Sequence, residues 1–334
     1  MISVLPSDTI APEKILAEMA GAYYRNSPEC LALYPITQGA SGRTIVRIVP
    51  PEGQTSCIGI HWTGVRPDNA AFITAARFLK SHGLRVPALL TATEQPTGSG
   101  AALAEDLGDQ NLLGLKSAHW ATKSAAYGSA MEQVHLLHSL DAAAVPTLQQ
   151  PFDASLYLWE QEYFAEHVIA SMCGQNPSFF LENPARRQLA EDLASLPRCL
   201  IHRDFQSQNI HIIHGKAWLI DFQGMRYGLA EYDLASLIYD PYAGLSATER
   251  DILLSHWERI TGASVNRTLL QLCALQRIMQ ATAAFARYGL AGHPWYAAQL
   301  KPALDILREL SQSSPLEHLL VPAIHSAYDH LPSC

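Results

Sequence analysis

Charged residues are scarce in this chain: Asp, Glu, Lys and Arg make up 16% of its 334 residues, against roughly 25% in an average soluble protein. The formal net charge of −8 argues against nucleic acid or an anionic membrane as the main partner, because both attract basic surfaces. No uncharged apolar run is long enough for a membrane-spanning helix. The first residues also lack the basic stretch and apolar core of a secretory signal, so we expect a cytoplasmic protein.

Closely spaced cysteines are absent as well. No Cys-x-x-Cys pair occurs, and the six cysteines are scattered along the chain at Cys30, Cys57, Cys173, Cys199, Cys273 and Cys334. This pattern predicts reduced thiols rather than a disulfide framework or a zinc site. The chain also lacks a Gly-x-x-x-x-Gly-Lys-Ser/Thr loop, which argues against a Walker-type nucleotide site.

The first hundred residues contain several short stretches that favour strands. Runs rich in β-branched and aromatic residues occur at LALYPITQ, TIVRIV and SCIGIHW, and two further runs follow at VPALLTAT and GAALAEDLG. The first three runs form a group that is spaced too closely for crossover helices, so we predict an antiparallel meander there. The last two runs form a second group, in which the strands meet at a Gly-Ser-Gly turn. Between them, the pattern of DNAAFITAARFLKSHG predicts a helix with Asp68 as its N-cap and Gly83 at its end.

The chain after Gly108 is mainly helical in pattern. Apolar residues at three- and four-residue spacing predict long helices in HWATKSAAYGSAMEQVHLLHSLD and LLQLCALQRIMQATAAFARYGL. His138 continues the inward face of the first helix, where we expect it to pack in the core. We therefore predict an α+β chain of two lobes: a β-rich lobe over residues 1–104, a hinge over 105–110 and a helical lobe over 111–334.

One predicted hairpin, NIHIIHGKAWLIDF, interrupts the helical half, and its turn is expected at Gly215-Lys216. Asn209 stands at the start of the first strand, and Asp221 stands at the end of the second. Pairing the strands therefore brings Asn209 and Asp221 to the same open end. Asp204 lies in the loop that leads into that end.

Two carboxylates and a carboxamide in one place suit a divalent metal and a phosphate. Mg²⁺ prefers hard oxygen ligands together with phosphate oxygens and water. Asn209 and Asp221 would supply such ligands, which leaves Asp204 to orient and deprotonate an attacking hydroxyl. His-Arg-Asp-x-x-x-x-Asn followed by Asp-Phe is the catalytic-loop and metal-loop signature of kinases. We therefore predict a kinase; the alternative is a set of polar residues that only caps the hairpin.

The segments LIHRDFQSQNI, WLIDFQ and EYDLASLIYDPY resemble the aminoglycoside phosphotransferase/choline kinase family of small-molecule kinases, over most of the chain. HRDF, LIDFQ-x-x-R, YDLASL and LAEDLG are most similar to the bacterial anomeric kinases of N-acetylmuramate and N-acetylglucosamine, which act in cell-wall recycling. The resemblance implies a bilobal, protein-kinase-like fold with a small antiparallel sheet and a mainly helical lobe. It also implies ATP and Mg²⁺ as cofactors and an amino-sugar hydroxyl as acceptor, with no nucleic-acid or membrane partner.

The same resemblance assigns roles around the catalytic loop. It implies that Asp204 is the catalytic base and that Asn209 and Asp221 bind Mg²⁺. Asp233 of the YDLAS segment and His202 would support the loop. For the acceptor, the candidate residues are Arg203, Gln206, Arg226 and Asp240. The alternatives for the last two are a surface salt bridge at Arg226 and a helix N-cap at Asp240.

Candidate nucleotide-binding residues lie in the β-rich part. The resemblance places the backbone of the hinge residues beside adenine, at Glu105, Asp106 and Leu107. The turn that contains Gly39, Ser41 and Gly42 could bring backbone amides to the triphosphate, or it could be an ordinary hairpin turn.

A lysine is missing from the position where kinases hold the α- and β-phosphates. The third strand carries Ile60 and His61 there, and a histidine at its ordinary pKa is a poor permanent cation near pH 7. Either Arg43 or Arg47 replaces the lysine, or catalysis tolerates its loss. The anomeric sugar kinases that this chain resembles also tend to lack this lysine.

Three functions remain open from the sequence. The first is an amino-sugar kinase, and the second is an aminoglycoside, choline or homoserine kinase, for which a cationic acceptor would need an acidic pocket. Residues 222–334 contain ten Asp or Glu and eight Lys or Arg, so a neutral or anionic acceptor is favoured. The third is a nucleotide-binding pseudokinase scaffold, which the presence of Asp204, Asn209 and Asp221 argues against.

Overall fold

The computed structural model describes residues 11–36, 42–65, 69, 71–141, 144, 146 and 149–331. The predicted residues Gly39, Ser41 and Asp68 lie outside these ranges. The chain divides into two compact units, with the boundary between Asp109 and Gln110.

The N-terminal unit contains the predicted antiparallel sheet. Its strands pair in the order β1-β2-β3-β5-β4. Its elements are helix α1 (Pro12–Tyr24), strands β1 (Ala32–Pro35), β2 (Thr44–Val49) and β3 (Cys57–Trp62), helix α2 (Phe72–Ser81), and strands β4 (Leu89–Glu94) and β5 (Gly100–Glu105). All pairs are antiparallel. The predicted strands and their pairing sense are therefore confirmed.

Helix α1 packs one face against this sheet. Leu16 and Ala20, one helical turn apart, are both fully buried in a cluster with Ile48 of β2 and Leu103 of β5. Burial of apolar side chains of this size contributes roughly 1.5–3 kcal/mol each. The sheet is thus held from one side by a helix that precedes it in the chain.

Helix α2 has the apolar stripe that the sequence predicts. Phe72, Ala75, Phe78 and Leu79 are all buried. No side-chain cap is present at Ala71, where the helix begins. Gly83, with a φ of +80°, follows the end of the helix, where a left-handed residue is common.

The C-terminal unit is mostly helical and contains two short two-stranded sheets. Its helices are α3 (Trp120–His138), α4 (Ala154–Phe164, continued by a π-helical turn over Ala165–Met172), α5 (Ser178–Leu181), α6 (Pro184–Ala194), α7 (Ala230–Ile238), α8 (Ala247–Thr261), α9 (Arg267–Leu290), α10 (Pro294–Ser311) and α11 (Glu317–Asp329). Its strands are β6 (Cys199–Ile201), β7 (Ile210–Ile213), β8 (Lys216–Leu219) and β9 (Arg226–Gly228). Short 3-10 turns occur at Pro28–Cys30 in the first unit and at Leu113–Leu115, Ser207–Asn209 and Phe222–Gly224 in the second.

Two expectations from the sequence concern membrane-spanning helices and disulfide bonds. Across the described ranges, no helix combines the length and apolar character needed to cross a bilayer, although α9 has 24 residues. The cysteines within those ranges are all free thiols, at Cys30, Cys57, Cys173, Cys199 and Cys273.

The hairpin of β7 and β8 forms as predicted, but its turn lies one residue earlier. Ile213 pairs with Lys216, so the two turn residues are His214 and Gly215, and the predicted turn at Gly215-Lys216 is wrong. Both turn residues have positive φ, +49° and +74°, as the favoured two-residue hairpin turns require. Histidine is among the non-glycine residues that tolerate this region, which the sequence pattern did not reveal.

Gly100 at the start of β5 leaves room for a buried ring, and its substitution tests the packing of the sheet. A Cβ at Gly100 would lie 2.8 Å from Cε2 of Trp62 and 2.7 Å from the carbonyl oxygen of Thr93. Trp62 is fully buried, so neither neighbour can move without disturbing the sheet. We expect Gly100→Ala to lower the free energy of unfolding by about 2 kcal/mol or more, measured by chemical denaturation.

Gly114→Ala is the matched control, because the nearest atom to its added Cβ is Oδ1 of Asn111 at 3.7 Å. This variant should unfold at nearly the wild-type denaturant concentration. A Gly100→Ala protein as stable as the control would contradict the packing described here.

Candidate active site

The loop of residues 202–209 is called the catalytic loop because the sequence predicts that role; it connects β6 to β7, and its second residue is strained. Arg203 has a φ of +75°, a left-handed conformation that is costly for a residue with a Cβ. The backbone amides of His202 and Arg203 donate to Oδ2 and Oδ1 of Asp233, at 2.7 and 2.8 Å. Asp233 is fully buried in α7. A buried carboxylate therefore holds the first turn of the loop.

Two histidines extend this support. Nε2 of His138, on α3, lies 3.0 Å from Oδ2 of Asp233, and Nε2 of His202 lies 3.0 Å from the carbonyl oxygen of Ile220. His138 is buried, as its helical face predicts, but its contact with a carboxylate was missed. No local signal connects two residues that lie 95 positions apart.

Asp204 lies between two guanidinium groups. Nη1 of Arg203 is 3.2 Å from Oδ2 of Asp204, and Nη2 of Arg277 is 3.6 Å from Oδ1. Burial acts to raise the pKa of Asp204, but the positive charges, chiefly those of Arg203 and then Arg277, outweigh it, and the pKa is lowered. The carboxylate is therefore ionised at neutral pH and able to accept a proton.

Arg277 is a candidate site residue that the sequence analysis missed. It lies on α9 and is only 7% exposed. Its Nη2 donates to Oε1 of Gln206 at 2.9 Å, and its Nη1 contacts Oε1 of Gln280. The only available signal was an arginine among the apolar residues of a helix, in ALQRIMQATAAF, since a charge at such a position needs partners when buried.

Asn209 and Asp221 lie at the same end of the hairpin, as the strand pairing predicts. The amide of Ile220 donates to the carbonyl oxygen of Asn209 at 3.0 Å, which joins the two chain segments there. Nδ2 of Asn209 donates to the carbonyl oxygen of Asp204 at 2.9 Å. Oδ1 of Asp221 accepts a hydrogen bond of 2.7 Å from Nε2 of Gln223.

The donor set at this end suits a metal that binds mostly to phosphate. Within the described residues, no group of three or more His, Cys, Asp or Glu side chains could hold a metal ion. One carboxylate, from Asp221, and one amide oxygen, from Asn209, are hard ligands of the kind that Mg²⁺ takes when phosphate oxygens and water complete its shell. The residues present therefore fit Mg²⁺ better than a metal held by the protein alone.

Asp240, predicted to contact the acceptor, is 2% exposed. Its Oδ2 accepts hydrogen bonds from the backbone amide and hydroxyl of Ser207, and its Oδ1 accepts one from the amide of Tyr242. Burial raises the pKa of Asp240, although these hydrogen bonds act to lower it. This geometry connects Asp240 to the catalytic loop and favours a supporting role.

Arg226 was predicted either to contact the acceptor or to form a salt bridge on the surface. It is buried, with 7% of its surface exposed. Its Nε donates to the carbonyl oxygen of Gly224 at 3.1 Å, and its guanidinium lies over the ring of Phe152. The surface salt bridge that the sequence allowed is therefore wrong. Its charge acts on the pKa of Asp204, so it belongs to the same electrostatic environment.

In the N-terminal unit, Arg47 is held by two carboxylates. Its Nε lies 2.7 Å from Oδ2 of Asp106, and its Nη2 lies 2.7 Å from Oδ1 of Asp109. Burial acts to raise the pKa of Asp106, but hydrogen bonds from Ser56, the Gly108 amide and Arg47 lower it. The guanidinium thus connects β2 to the segment after β5, which opposes the predicted contact of Arg47 with phosphate.

The remaining candidates for nucleotide binding lie in the same unit. Glu105 is fixed to Ala88 by a hydrogen bond from its amide at 2.9 Å and one to its Oε2 at 3.1 Å. Leu107 is buried. Gly42, with a φ of +67°, directly precedes Arg43.

The strand position that carries a lysine in kinases is occupied as predicted. Ile60 is buried and His61 is half-buried on β3. Burial lowers the pKa of His61, so its imidazole is neutral near pH 7. His61 therefore supplies no permanent positive charge.

The model of a family described as phosphotransferase enzyme family matches residues 33–271. The chain belongs to this family. It is 27% identical over 281 residues to an N-acetylmuramate/N-acetylglucosamine kinase of Neisseria meningitidis, a match that covers 75% of this chain and 80% of that protein. It is 25% identical over 266 residues to the kinase of the same name from Pseudomonas aeruginosa, with 77% and 73% coverage.

Solved structures of other kinases share the fold of this phosphotransferase. Amicoumacin kinase, in complex with AMP-PNP, Ca²⁺ and Ami, matches with a TM-score of 0.61 and 15% identity over 91% of this chain and 94% of that one. The ethanolamine kinase of Plasmodium vivax matches with a TM-score of 0.61 and 12% identity, with 91% and 90% coverage. A thermostable mutant of an aminoglycoside phosphotransferase matches with a TM-score of 0.60. The predicted protein-kinase-like fold is therefore confirmed.

The phosphotransferase also contains a buried carboxyl group that the sequence analysis missed. Glu160 on α4 is fully buried, and its Oε1 accepts a hydrogen bond of 2.6 Å from the hydroxyl of Tyr232. Its Oε2 has no hydrogen-bond partner among the residues described. Burial raises the pKa of Glu160 to about 7, although Tyr232, Arg203 and Arg277 act to lower it.

This raised pKa predicts a pH-dependent loss of stability. Between about pH 4.5 and pH 7, the folded protein retains on Glu160 a proton that the unfolded chain has released, so this group lowers the free energy of unfolding as the pH rises. We expect Glu160→Gln, which keeps the shape and the acceptor oxygen, to be more stable than wild type at pH 8 by about 3 kcal/mol. Below pH 4 the two proteins should have similar stability.

Denaturant titrations over this pH range provide the measurement. Glu132→Gln is the control, because Glu132 is an exposed carboxyl group on α3, and its substitution should leave the pH dependence unchanged. A Glu160→Gln protein whose stability follows the wild-type pH curve would show that Glu160 is ionised in the fold.

Proposed function

We propose that this phosphotransferase transfers the γ-phosphate of ATP to the anomeric hydroxyl of an N-acetylated amino sugar, either N-acetylmuramate or N-acetylglucosamine. The observation that carries the proposal is the ionised Asp204, which stands in one loop with Asn209 and beside the hairpin end at Asp221. Two relatives that match three quarters of the chain have the name of such a kinase, and they support the choice of sugar.

In the proposed step, Asp204 acts on the acceptor. One carboxylate oxygen accepts the proton of the sugar hydroxyl as the sugar oxygen forms a bond to the γ-phosphorus. The bond from that phosphorus to the β,γ-bridging oxygen breaks, and ADP leaves with the electron pair. The anomeric hydroxyl is more acidic than the other sugar hydroxyls, since the ring oxygen withdraws electron density. A carboxylate whose pKa is lowered, and which is therefore a weak base, suits such an acceptor.

Metal binding is assigned to the two oxygens at the hairpin end. Asn209 and Asp221 would hold Mg²⁺, which when bound neutralises charge on the phosphates of ATP. The bond from Nδ2 of Asn209 to the Asp204 backbone orients that side-chain amide. The same bond therefore connects the position of the metal ligand to the position of the base.

Supporting roles follow from the contacts of the loop. Asp233 and His202 hold its first turn, and Asp240 holds Ser207 in its last turn. We assign Arg203 and Gln206 to the acceptor side, because both lie in the loop beside Asp204 and Gln206 contacts Arg277.

For the nucleotide, we assign the predicted hinge at Glu105, Asp106 and Leu107 to adenine, and the glycine-containing segment with Gly39, Ser41 and Gly42 to the triphosphate. Arg43 and Arg47 both remain candidates for a phosphate contact, and the guanidinium of Arg47 also pairs with Asp106 and Asp109. Both assignments remain proposals from the family resemblance.

Asp204→Asn tests the proposed base. An amide can still hold the sugar hydroxyl but cannot accept its proton, so kcat should fall by about a hundredfold or more while nucleotide affinity stays nearly unchanged. Turnover is measured with each sugar, and affinity for AMP-PNP is measured by calorimetry. Asp251→Asn is the control, since this carboxylate is largely exposed and pairs with Arg267 on the surface. Near-normal turnover of Asp204→Asn would remove Asp204 from the mechanism.

The chemistry of the product tests the position of transfer. A glycosyl 1-phosphate can lose phosphate through an oxocarbenium-like state, so dilute acid should release phosphate from the product rapidly. A 6-phosphate ester lacks this route and should survive. The protein is incubated with ATP and each of N-acetylmuramate, N-acetylglucosamine, kanamycin and choline. Acid-stable sugar phosphate with a free reducing end would contradict the anomeric assignment, and transfer only to kanamycin or choline would contradict the sugar.

A further inference from the structure

Arg277 places a positive charge where the proposed acceptor must bind. A hydroxyl that gives its proton to Asp204 has to approach one of its oxygens to about 3 Å. Nη2 of Arg277 lies 3.6 Å from Oδ1 of Asp204, so this nitrogen lies within about 7 Å of a hydroxyl oxygen at Oδ1 and within about 9 Å of one at Oδ2. Any charge on a small sugar at this site therefore lies in the field of Arg277.

The guanidinium cannot easily move away. Arg277 comes from the long helix α9, and its two terminal nitrogens are bound by Gln206 and Gln280. Its side chain is 9% exposed, so water and salt screen it weakly. The charge is thus present at the site before any acceptor arrives.

Three guanidinium groups act on the base. After burial, the largest influences on the pKa of Asp204 are the charges of Arg203, Arg277, His202 and Arg226, and all four lower it. The three arginines among them are always charged. Burial raises the pKa of the nearby Glu160 to about 7, so this carboxyl group offsets at most one of the three.

Other carboxylates of the same unit are occupied by different partners. Asp233 faces His138 and two backbone amides. Asp240 accepts hydrogen bonds from Ser207 and Tyr242. Asp221 is the proposed metal ligand. Asp233 and Asp240 thus direct their oxygens at backbone amides rather than at an acceptor.

We propose that Arg277 is a specificity-determining residue that favours an anionic sugar, N-acetylmuramate, over the neutral N-acetylglucosamine and that disfavours cationic acceptors. The proposal rests on the proposed function, because it requires the acceptor hydroxyl to lie at Asp204. Even at a separation of about 10 Å, with an effective dielectric constant of roughly 20, a unit charge changes the binding of a singly charged group by about tenfold or more.

The test is the ratio of kcat/KM for N-acetylmuramate to kcat/KM for N-acetylglucosamine. A ratio is chosen because any disturbance of Asp204 in a variant lowers both values together and cancels. We expect a wild-type ratio above one, a fall of about tenfold in Arg277→Met, and a ratio close to wild type in Arg277→Lys, which keeps the charge. Arg267→Met removes an exposed arginine from the same helix and should leave the ratio unchanged.

If Arg277→Met has no turnover, its affinity for each sugar is measured instead. Calorimetric affinities of the same protein for the two sugars, in the presence of AMP-PNP, should then show the same tenfold loss of preference. An unchanged ratio in Arg277→Met, or a wild-type protein that uses N-acetylglucosamine as well as N-acetylmuramate, would overturn this inference and leave the proposed function standing. Faster wild-type transfer to kanamycin or choline than to both sugars would overturn both.

Discussion

The geometry of the catalytic loop depends on one buried carboxylate, that of Asp233. Both of its oxygens accept hydrogen bonds from backbone amides, and His138 contacts one of the two oxygens. Arg203 has a left-handed backbone, which costs about 1 kcal/mol or more for such a residue and persists only where neighbouring contacts hold it. Because Asp204 is the next residue, the direction of its side chain follows from this anchor.

Charge in the interior of the helical unit is sparse and locally paired. Asp204 lies between Arg203 and Arg277, and Glu160 accepts a hydrogen bond from the hydroxyl of Tyr232. In a low-dielectric interior, each charged group is costly unless a partner compensates it. This chain has few charges overall, and several of them lie around one loop. There they control the ionisation of the proposed base and the electrostatic potential at the acceptor.

Arg47 shows that a charge which a sequence pattern assigns to a ligand can also have partners within the protein. An arginine on the second strand, in a chain without the usual lysine, predicts a phosphate contact. In the structure its guanidinium bridges Asp106 and Asp109, the first of which is almost fully buried. Asp106 stands 59 residues away, so only the sheet pairing could reveal that the charge is already neutralised.

The elements whose signals are local could be predicted from the sequence. The strands, the buried stripe of α2 and the convergence of Asn209 and Asp221 follow from side-chain periodicity and motif spacing, because neighbours in the chain decide them. The contacts of His138 with Asp233 and of Arg277 with Asp204 could not be predicted from the sequence. A polar residue on the inward face of a helix carries no record of its partner, since helix packing brings residues 73 or more positions apart into contact.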